Sequence, residues 1–171
     1  MIISAGIYAR RRLQYPTDRS FRPTKSIVRE SVFNIIGPAI ANARFLDLCS
    51  GTGAMGLEAE SRGAQAICVD QYTDYIERNK ASLKAAITII KSDVCRYLKK
   101  AGESVDFIYL DPVWSDHATY HTCLKAIRDG NRLTPHGRLF VEHHHTLVLS
   151  PTYSVIKQYT YGDSLVSEIA L

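Results

Sequence analysis

Acidic residues stand at the ends of four short apolar runs in this sequence. Asp47 comes late in FLDLC, Asp70 ends AICVD, Asp93 ends ITIIKSD and Asp111 ends VDFIYLD. Carboxylates accept hydrogen bonds from hydroxyl, amino and ammonium groups, so acids repeated in this way could hold a polar ligand. Each acid alone is more often a solvated loop residue or a helix cap. Their repetition at successive run ends indicates one shared site.

The first of these acids precedes the glycine-rich stretch Gly51-Thr52-Gly53-Ala54-Met55-Gly56. This G-x-G-x-x-G spacing fits a dinucleotide-binding loop, but by itself the spacing is a weak signal. In such a loop the glycines let a pyrophosphate approach a helix N-terminus. The Asp47 carboxylate would repel a pyrophosphate, whereas it would attract an ammonium group. An NAD-dependent reductase is therefore disfavoured, and a cofactor titration would expose one.

Two further acids favour a ligand without phosphates. A carboxylate at the position of Asp70 can accept both hydroxyls of a ribose. Asp93 can accept a hydrogen bond from an adenine amino group, and Val94 can offer its backbone N–H to the ligand. An adenosine joined to an amino acid fits these positions together, which indicates S-adenosylmethionine as the cofactor.

The fourth acid opens the stretch Asp111-Pro112-Val113-Trp114. An exocyclic amine on a nucleobase is a poor nucleophile because its lone pair is delocalised into the ring. The Asp111 carboxylate and the Pro112 carbonyl could accept its hydrogens and aim the lone pair at a methyl donor. Such positioning is worth up to about 7–11 kcal/mol in the best intramolecular cases. Trp114 offers a face on which the base can stack; the alternative is a strand end with a packing tryptophan.

Alternating strands and helices would bring these acids to one edge of a sheet. We predict strands at 45–49, 66–70, 87–93, 105–111 and 138–143, a helical stretch ending at 62, and helices at 73–86, 94–101 and 117–129. The tail, 153–171, is typical of two strands around a Gly162-Asp163 turn. The pattern predicts a Rossmann-like doubly wound α/β fold: a mostly parallel seven-stranded sheet with an antiparallel edge hairpin and a short N-terminal hairpin/helix extension. Ligands of such sheets bind beyond the carboxyl ends of the strands.

Positive charge is concentrated at the start of the chain. The net charge of the whole sequence is +4. Residues 1–30 hold seven basic and two acidic residues, which leaves the remainder at −1. Aromatic residues that can stack on bases lie between the arginines, so we predict a nucleic-acid partner, with a solvated arm as the alternative. Residues 1–13 read as a strand or hairpin, and Thr24 could cap a helix that Gly37 and Pro38 end.

Composition narrows the class of protein further. The chain is long enough for one domain with one substantial core. It has no apolar run of membrane-spanning length, and its N-terminus does not look like a secretion signal, so we expect a cytoplasmic protein.

The four cysteines are not at C-x-x-C spacing and read as buried thiols. Three consecutive histidines, 143–145, cannot easily converge on one ion, because neighbours on a strand point to opposite faces. We predict no metal site, and nothing demands more than a monomer.

Several stretches together resemble a known family. They are GIYARRRL (6–13), RPT (22–24) with VRE (28–30) and FN (33–34), LDLCSGTGAMGLEA (46–59), SRGA (61–64), the Asp111-Pro112 loop and YGD (161–163). Over nearly its whole length the sequence resembles the bacterial 16S rRNA guanine-N2 methyltransferases, which are Class I S-adenosylmethionine-dependent methyltransferases. Many methyltransferases share the glycine loop, whereas RPT…VRE…FN is much more specific.

The resemblance implies a role for each part of the chain. S-adenosylmethionine would be bound by Asp47, Ser50, Gly51, Gly53, Asp70, Asp93 and Val94. Asp111, Pro112 and Trp114 would form the catalytic loop that holds the N2 amine of a guanine. The 16S rRNA, within a small ribosomal subunit or its assembly intermediate, would be gripped by Arg10, Arg11, Arg12, Arg22, Lys25 and Arg29. The chain would be a single methyltransferase domain, 1–171, with a basic RNA-binding extension (1–37) and a cofactor-binding catalytic core (38–171).

One departure from the family pattern concerns the catalytic loop. The family loop normally reads Asp-Pro-Pro-aromatic, and here the second proline is Val113. Both acceptors and the aromatic ring remain, but the fixed φ of a proline is lost. We expect an active but slower enzyme. Two alternatives stay open: a methyltransferase acting on adenine or cytosine amines in nucleic acid, and a non-catalytic rRNA-binding assembly module.

Overall fold

A computed structural model describes residues 1–16, 24–100 and 102–171. Its helices are α1 (Ser26–Ile36), α2 (Ala54–Ser61), α3 (Asp74–Leu83), α4 (Val94–Leu98) and α5 (His117–Asp129), with a short 3₁₀ helix at Gly37–Ile40. Its strands are β1 (Arg44–Leu48), β2 (Gln65–Asp70), β3 (Thr88–Lys91), β4 (Val105–Leu110), β5 (Leu133–His144), β6 (Ser154–Tyr161) and β7 (Ser164–Ala170).

The strands form one sheet in the order β3-β2-β1-β4-β5-β7-β6. The pairs from β3 across to β5 are parallel, whereas β7 runs antiparallel to both β5 and β6. This confirms the predicted mostly parallel seven-stranded sheet with an antiparallel edge hairpin. The chain moves outward from β1 to β3 and then returns to β4 on the other side of β1. This reversal opens a crevice at the carboxyl ends of β1 and β4, where ligands of such sheets bind.

Helices cover both faces of the sheet, and the central strands are therefore apolar on both sides. In β1, Phe45 packs with α1 and α2, whereas its neighbour Leu46 packs with α4 and α5. Both of these side chains are fully buried. Strands buried on both faces read as continuous apolar runs, which is why FLDLC and VDFIYLD were recognisable as strands.

The first residues form the predicted hairpin, which is part of the core. Ile2 and Arg12 form an antiparallel bridge, and the N–H of Ile3 donates to the carbonyl of Arg11 at 3.0 Å. Ile3 and Leu13 are buried in the same cluster as α1 and α2. Gly6 lies against α2 with φ +82°, and a Cβ there would come within 1.7 Å of the Ser61 carbonyl oxygen. Only glycine permits this close approach.

Some predicted boundaries were wrong. Thr24 does not cap α1, because the helix begins at Ser26 with Lys25 in the capping position and without a side-chain cap. Helix α3 ends early because Lys84 adopts a left-handed conformation. Strand β5 begins at Leu133, since an irregularity opposite β4 accommodates the intervening Pro135 and Gly137.

No helix in the described ranges combines the length and the apolar character that crossing a bilayer requires.

Candidate active site

The glycine loop between β1 and α2 is fixed by close contacts with its neighbours. Gly53 has φ +77°, and a Cβ there would lie 2.9 Å from the Ile76 side chain. A Cβ on Gly56 would lie 2.3 Å from the sulfur of Cys68 in β2. The Ser50 hydroxyl donates to the carbonyl of Asp47 at 2.7 Å. Side chains at these two glycine positions would therefore collide with α3 and β2.

Asp47 lies beneath this loop and is 2% exposed. Its Oδ2 accepts from the N–H of Gly56 at 3.0 Å. Burial raises the pKa of Asp47 to about 7, against the effect of the Gly56 hydrogen bond, and the neighbouring Asp70 carboxylate raises it further. The carboxylate thus holds the backbone of the turn in place, and a nearby cation would stabilise its ionised form.

Asp70 stands at the end of β2 and faces the same loop. Its Oδ2 accepts from the N–H of Gly51 at 2.8 Å, and its Oδ1 accepts from the N–H of Tyr72 at 2.9 Å. Each carboxylate oxygen can accept more than one hydrogen bond, so these contacts orient Asp70 without exhausting its acceptors. The side chain is half-buried, which leaves it open to a polar ligand.

Asp93 and Val94 lie beyond the end of β3. Asp93 is exposed and caps α4, because its Oδ1 accepts from the N–H of Arg96 at 2.8 Å. Val94 is buried at the first position of that helix, where a backbone N–H has no partner within the helix. The parallel pairing of β1, β2 and β3 brings these residues to the same edge as Asp47 and Asp70.

The loop after β4 adjoins the glycine loop. The N–H of Asp111 donates to the carbonyl of Leu48 at 3.3 Å. Asp111 is half-buried, Pro112 is buried, and the Val113 side chain is 74% exposed. The carbonyl of Val113 accepts from the N–H of Asp116 at 2.8 Å, which forms a turn. Asp111 and Pro112 therefore lie directly beyond the carboxyl end of β4, next to the end of β1.

Trp114 contributes to an open depression of about 460 Å³. Its ring centroid lies 5.1 Å from that of His144, at an interplanar angle of 32°. Ser115, Thr146 and Asp163 complete the lining, so the depression joins the β4 loop to the turn between β6 and β7. An aromatic wall with a polar rim suits a flat heterocycle.

Sequence reasoning did not find two residues beneath the β4 loop, Tyr120 and Glu142. The Tyr120 hydroxyl shares its one proton between the carbonyl oxygens of Pro112 at 3.1 Å and Glu142 at 2.9 Å, and Tyr109 donates to the Glu142 carboxylate. Burial raises the pKa of both tyrosines. In the sequence Tyr120 reads as one more apolar helix position, so no local signal marks it.

His143 points away from the other two histidines, whereas the rings of His144 and His145 lie against each other, with centroids 3.8 Å apart. His143 is buried and its Nε2 lies 2.9 Å from the Ser167 hydroxyl, whereas His144 turns towards Trp114. Burial lowers the pKa of His143, which favours its neutral form. Within the residues that the structure describes, no group of three or more His, Cys, Asp or Glu side chains could hold a metal ion.

The predicted RNA-binding residues divide into different groups. Arg10, Arg11 and Arg12 are exposed on the N-terminal hairpin, and Lys25 donates to the carbonyl of Tyr161 at 3.2 Å. Arg22 lies outside the described residues.

The prediction that Arg29 contacts RNA was wrong, because its side chain is fully buried. The Arg29 Nε lies 3.2 Å from the Glu58 carboxylate, which also accepts from Arg62 at 2.9 Å and from the N–H of Ser4 at 2.8 Å. Glu58 therefore joins α1, α2 and the N-terminal hairpin. A buried charge needs such partners, and Arg29 is one of them rather than a contact for phosphate.

Asn79 makes a second connection from the N-terminal segment to the glycine loop. Its side-chain amide donates to the carbonyls of Gln14 at 2.9 Å and Thr52 at 3.0 Å, and its oxygen accepts from the N–H of Gln14 at 2.7 Å. Asn79 is 1% exposed. One buried amide thus fixes the end of the hairpin segment against the loop.

The sheet order and the two loops define a Rossmann-like methyltransferase fold. A methyltransferase-like protein of Escherichia coli superposes with a TM-score of 0.86 at 26% identity, covering 99% of this chain and 96% of that one. A hypothetical protein of Thermus thermophilus superposes with a TM-score of 0.87 over 100% of this chain and 99% of its own, and at 22% identity it supports the fold alone.

Sequence comparison then identifies the family. The profile of a family described as conserved hypothetical protein 95 matches residues 1–169, and the chain belongs to this family. Ribosomal RNA small subunit methyltransferase D of Escherichia coli strain K12 is 32% identical over 145 residues, which cover 82% of this chain and 73% of that protein. The resemblance inferred from the motifs is confirmed.

Proposed function

We propose that this protein is an S-adenosylmethionine-dependent methyltransferase that modifies the exocyclic N2 amine of a guanine in small-subunit rRNA. The observation that carries the proposal is the position of Asp111 and the Pro112 carbonyl at the switch point of the sheet, beside the glycine loop. Membership of a family that includes small-subunit rRNA methyltransferases supports the reaction class and the substrate.

The residues around the glycine loop fit an adenosyl amino acid better than a dinucleotide. Asp47 would oppose a pyrophosphate at this loop, and Asp70 can accept from ribose hydroxyls. Asp93 and the Val94 N–H would bind the adenine edge, and the backbone of Ser50, Gly51 and Gly53 would line the ligand. The bound cofactor supplies an electrophilic methyl group. Asp47 favours its cationic amino-acid end from beneath the loop.

The β4 loop would hold the target amine. The Asp111 carboxylate and the Pro112 carbonyl accept its hydrogens, and Trp114 stacks against the ring. These hydrogen bonds and the stacking contact would orient the nitrogen lone pair towards the methyl group. As the nitrogen–carbon bond forms, the methyl–sulfur bond of the donor would break with its electron pair left on sulfur, and the Asp111 carboxylate could accept the surplus proton of the nitrogen.

Exposed positive charge supports an RNA substrate. Arg10, Arg11 and Arg12 lie together on the N-terminal hairpin, and Arg22 is close to them in the sequence. Lys25 lies at the start of α1, beside the turn that also carries Asp163 of the depression. Phosphate contacts by such residues would hold the RNA while the β4 loop engages one base.

The test is methyl transfer from labelled S-adenosylmethionine to small ribosomal subunits that lack native methylation, with nucleoside analysis of the product. We expect labelled N2-methylguanosine. Asp111→Ala should lower the rate at least about a hundredfold, because the main positioning contact is lost. The matched control is Asp129→Ala, which removes an exposed carboxylate at the end of α5.

Other outcomes of this test would select the alternatives. Labelled N6-methyladenosine or N4-methylcytidine would contradict guanine as the target and retain the reaction class. Cofactor binding without transfer to subunits or free rRNA would favour the non-catalytic assembly module. Equal rates for Asp111→Ala and the wild type would contradict the assigned catalytic loop.

A further inference from the structure

Tyr120 is a fully buried residue that the proposed chemistry does not use. It lies in the first turn of α5, where Asp116 accepts from the N–H of Thr119 at 3.1 Å and from its hydroxyl at 2.6 Å. This cap fixes the beginning of the helix and therefore the position of the Tyr120 ring. The ring packs among the apolar residues on the α4 and α5 side of the sheet.

The hydroxyl of this ring ties two strand ends together. It lies 3.1 Å from the carbonyl oxygen of Pro112, beyond β4, and 2.9 Å from that of Glu142, in β5. Burying a hydroxyl is costly unless it is hydrogen-bonded, and a phenylalanine would fill the same apolar space. Burial, with the Asp111 carboxylate as the next cause, raises the pKa of Tyr120, so the hydroxyl keeps its proton and remains a donor.

The β4 loop needs such a restraint because its exposed part packs little. The Val113 side chain is 74% exposed, and the Asp111 N–H reaches the Leu48 carbonyl only at 3.3 Å. The turn from Val113 to Asp116 closes the far side of the loop through the Val113 carbonyl and does not involve the Pro112 carbonyl. A hydrogen bond to the Pro112 carbonyl limits rotation of that peptide directly.

We infer that Tyr120 is a positioning residue whose hydroxyl aims the Pro112 carbonyl at the target amine. The inference rests on the proposed function for the role of that carbonyl. A carbonyl oxygen has two lone pairs, so Tyr120 can hold one and leave the other for the amine. The residue touches neither the base nor the cofactor, and its effect passes through the peptide that it orients.

The experiment is a double-mutant cycle of Tyr120→Phe and Val113→Pro with two readouts. The first is kcat, with KM for S-adenosylmethionine, in methyl transfer to small subunits. The second is the fluorescence anisotropy of Trp114, the one tryptophan in the sequence, which reports the mobility of the same loop whether or not the protein is active. Tyr97→Phe is the matched control, because it removes a hydroxyl that accepts from Arg132 at 3.1 Å in another part of the protein.

Tyr120→Phe should lower kcat about tenfold, the value of about one hydrogen bond, with KM for S-adenosylmethionine nearly unchanged. Trp114 anisotropy should fall in parallel. Val113→Pro should restore both quantities in the Tyr120→Phe background, because a proline at 113 fixes φ and restricts residue 112. Tyr97→Phe should change neither.

Two results would overturn the inference. Unchanged Trp114 anisotropy in Tyr120→Phe would show that the hydroxyl does not restrain the loop. Tyr120→Phe could also lower both the Trp114 anisotropy and kcat without recovery of either in the double variant with Val113→Pro. That result would show that Tyr120 acts through general packing. A wild-type protein that transfers no methyl group would end the proposed function, and the anisotropy would still decide whether Tyr120 restrains the loop.

Discussion

The loop after β1 and the loop after β4 leave neighbouring strands of one sheet, yet they are held in different ways. The glycine loop is held by carboxylates of the two strands beside it, β1 and β2: Asp47 and Asp70 accept from the N–H groups of Gly56 and Gly51. The β4 loop is held by a side chain from a later helix, Tyr120, and it exposes Val113. The first arrangement makes the glycine loop a rigid cradle for a ligand, and the second lets the sequence of the β4 loop vary at an exposed position such as Val113.

Gly56→Ala should have the largest effect on stability. Its Cβ would come 2.3 Å from the Cys68 sulfur, and the rigid loop cannot move away without breaking the Asp47 contact. We expect a loss of about 3 kcal/mol in the free energy of unfolding, measured by chemical denaturation. Cys68→Ala should recover most of that loss in the double variant. Equal stability of Gly56→Ala and the wild type would show that the cradle is not rigid.

Asp47→Asn tests how much the ionised, buried Asp47 carboxylate lowers the free energy of unfolding. The pKa of Asp47 is raised from 3.8 to about 7 by burial, so the folded state holds a proton that the unfolded state has released. The contribution of Asp47 to wild-type stability should therefore fall as pH rises from about 4 to about 7 and then level off. The asparagine variant does not ionise, and its stability relative to the wild type should rise by about 2 kcal/mol between about pH 5 and pH 7.

Unfolding curves for both proteins across this pH range measure that difference. The comparison isolates the charge, because an asparagine oxygen can still accept from the Gly56 N–H. Saturating S-adenosylmethionine should flatten the wild-type curve, since a cation near the carboxylate lowers its pKa. Parallel curves for the two proteins at every pH would contradict the raised pKa.

Val113→Ala should have the smallest effect on stability. The side chain is 74% exposed, so its removal should change the free energy of unfolding by less than about 0.5 kcal/mol. With Tyr120 in place, kcat should also change little. The same measurements as for Gly56→Ala check this, and a loss as large as in that variant would mean that both loops are equally rigid.

The sequence was most informative where structure depends on local patterns. Buried strands read as apolar runs, and the strand-end acids followed from those runs, so the sheet and the edge that carries the acids could be predicted. Arg29 could not be assigned in this way, because its burial depends on a carboxylate in α2. Tyr120 was missed for the same reason, since the carbonyls that it contacts belong to other elements.

The buried Glu58 carboxylate has a consequence for which phosphates and which base of an RNA the protein could contact at the same time. Glu58 joins the N-terminal hairpin and α1 to α2, the helix that begins at the end of the glycine loop, and Asn79 fixes the hairpin segment to that loop again. The hairpin that carries the exposed arginines and the glycine loop are thus parts of one rigid unit, and the distance between them is fixed. If RNA binds as proposed, the spacing between the gripped phosphates and the modified base would be set by the shape of the folded protein, and a flexible strand would have to conform to it.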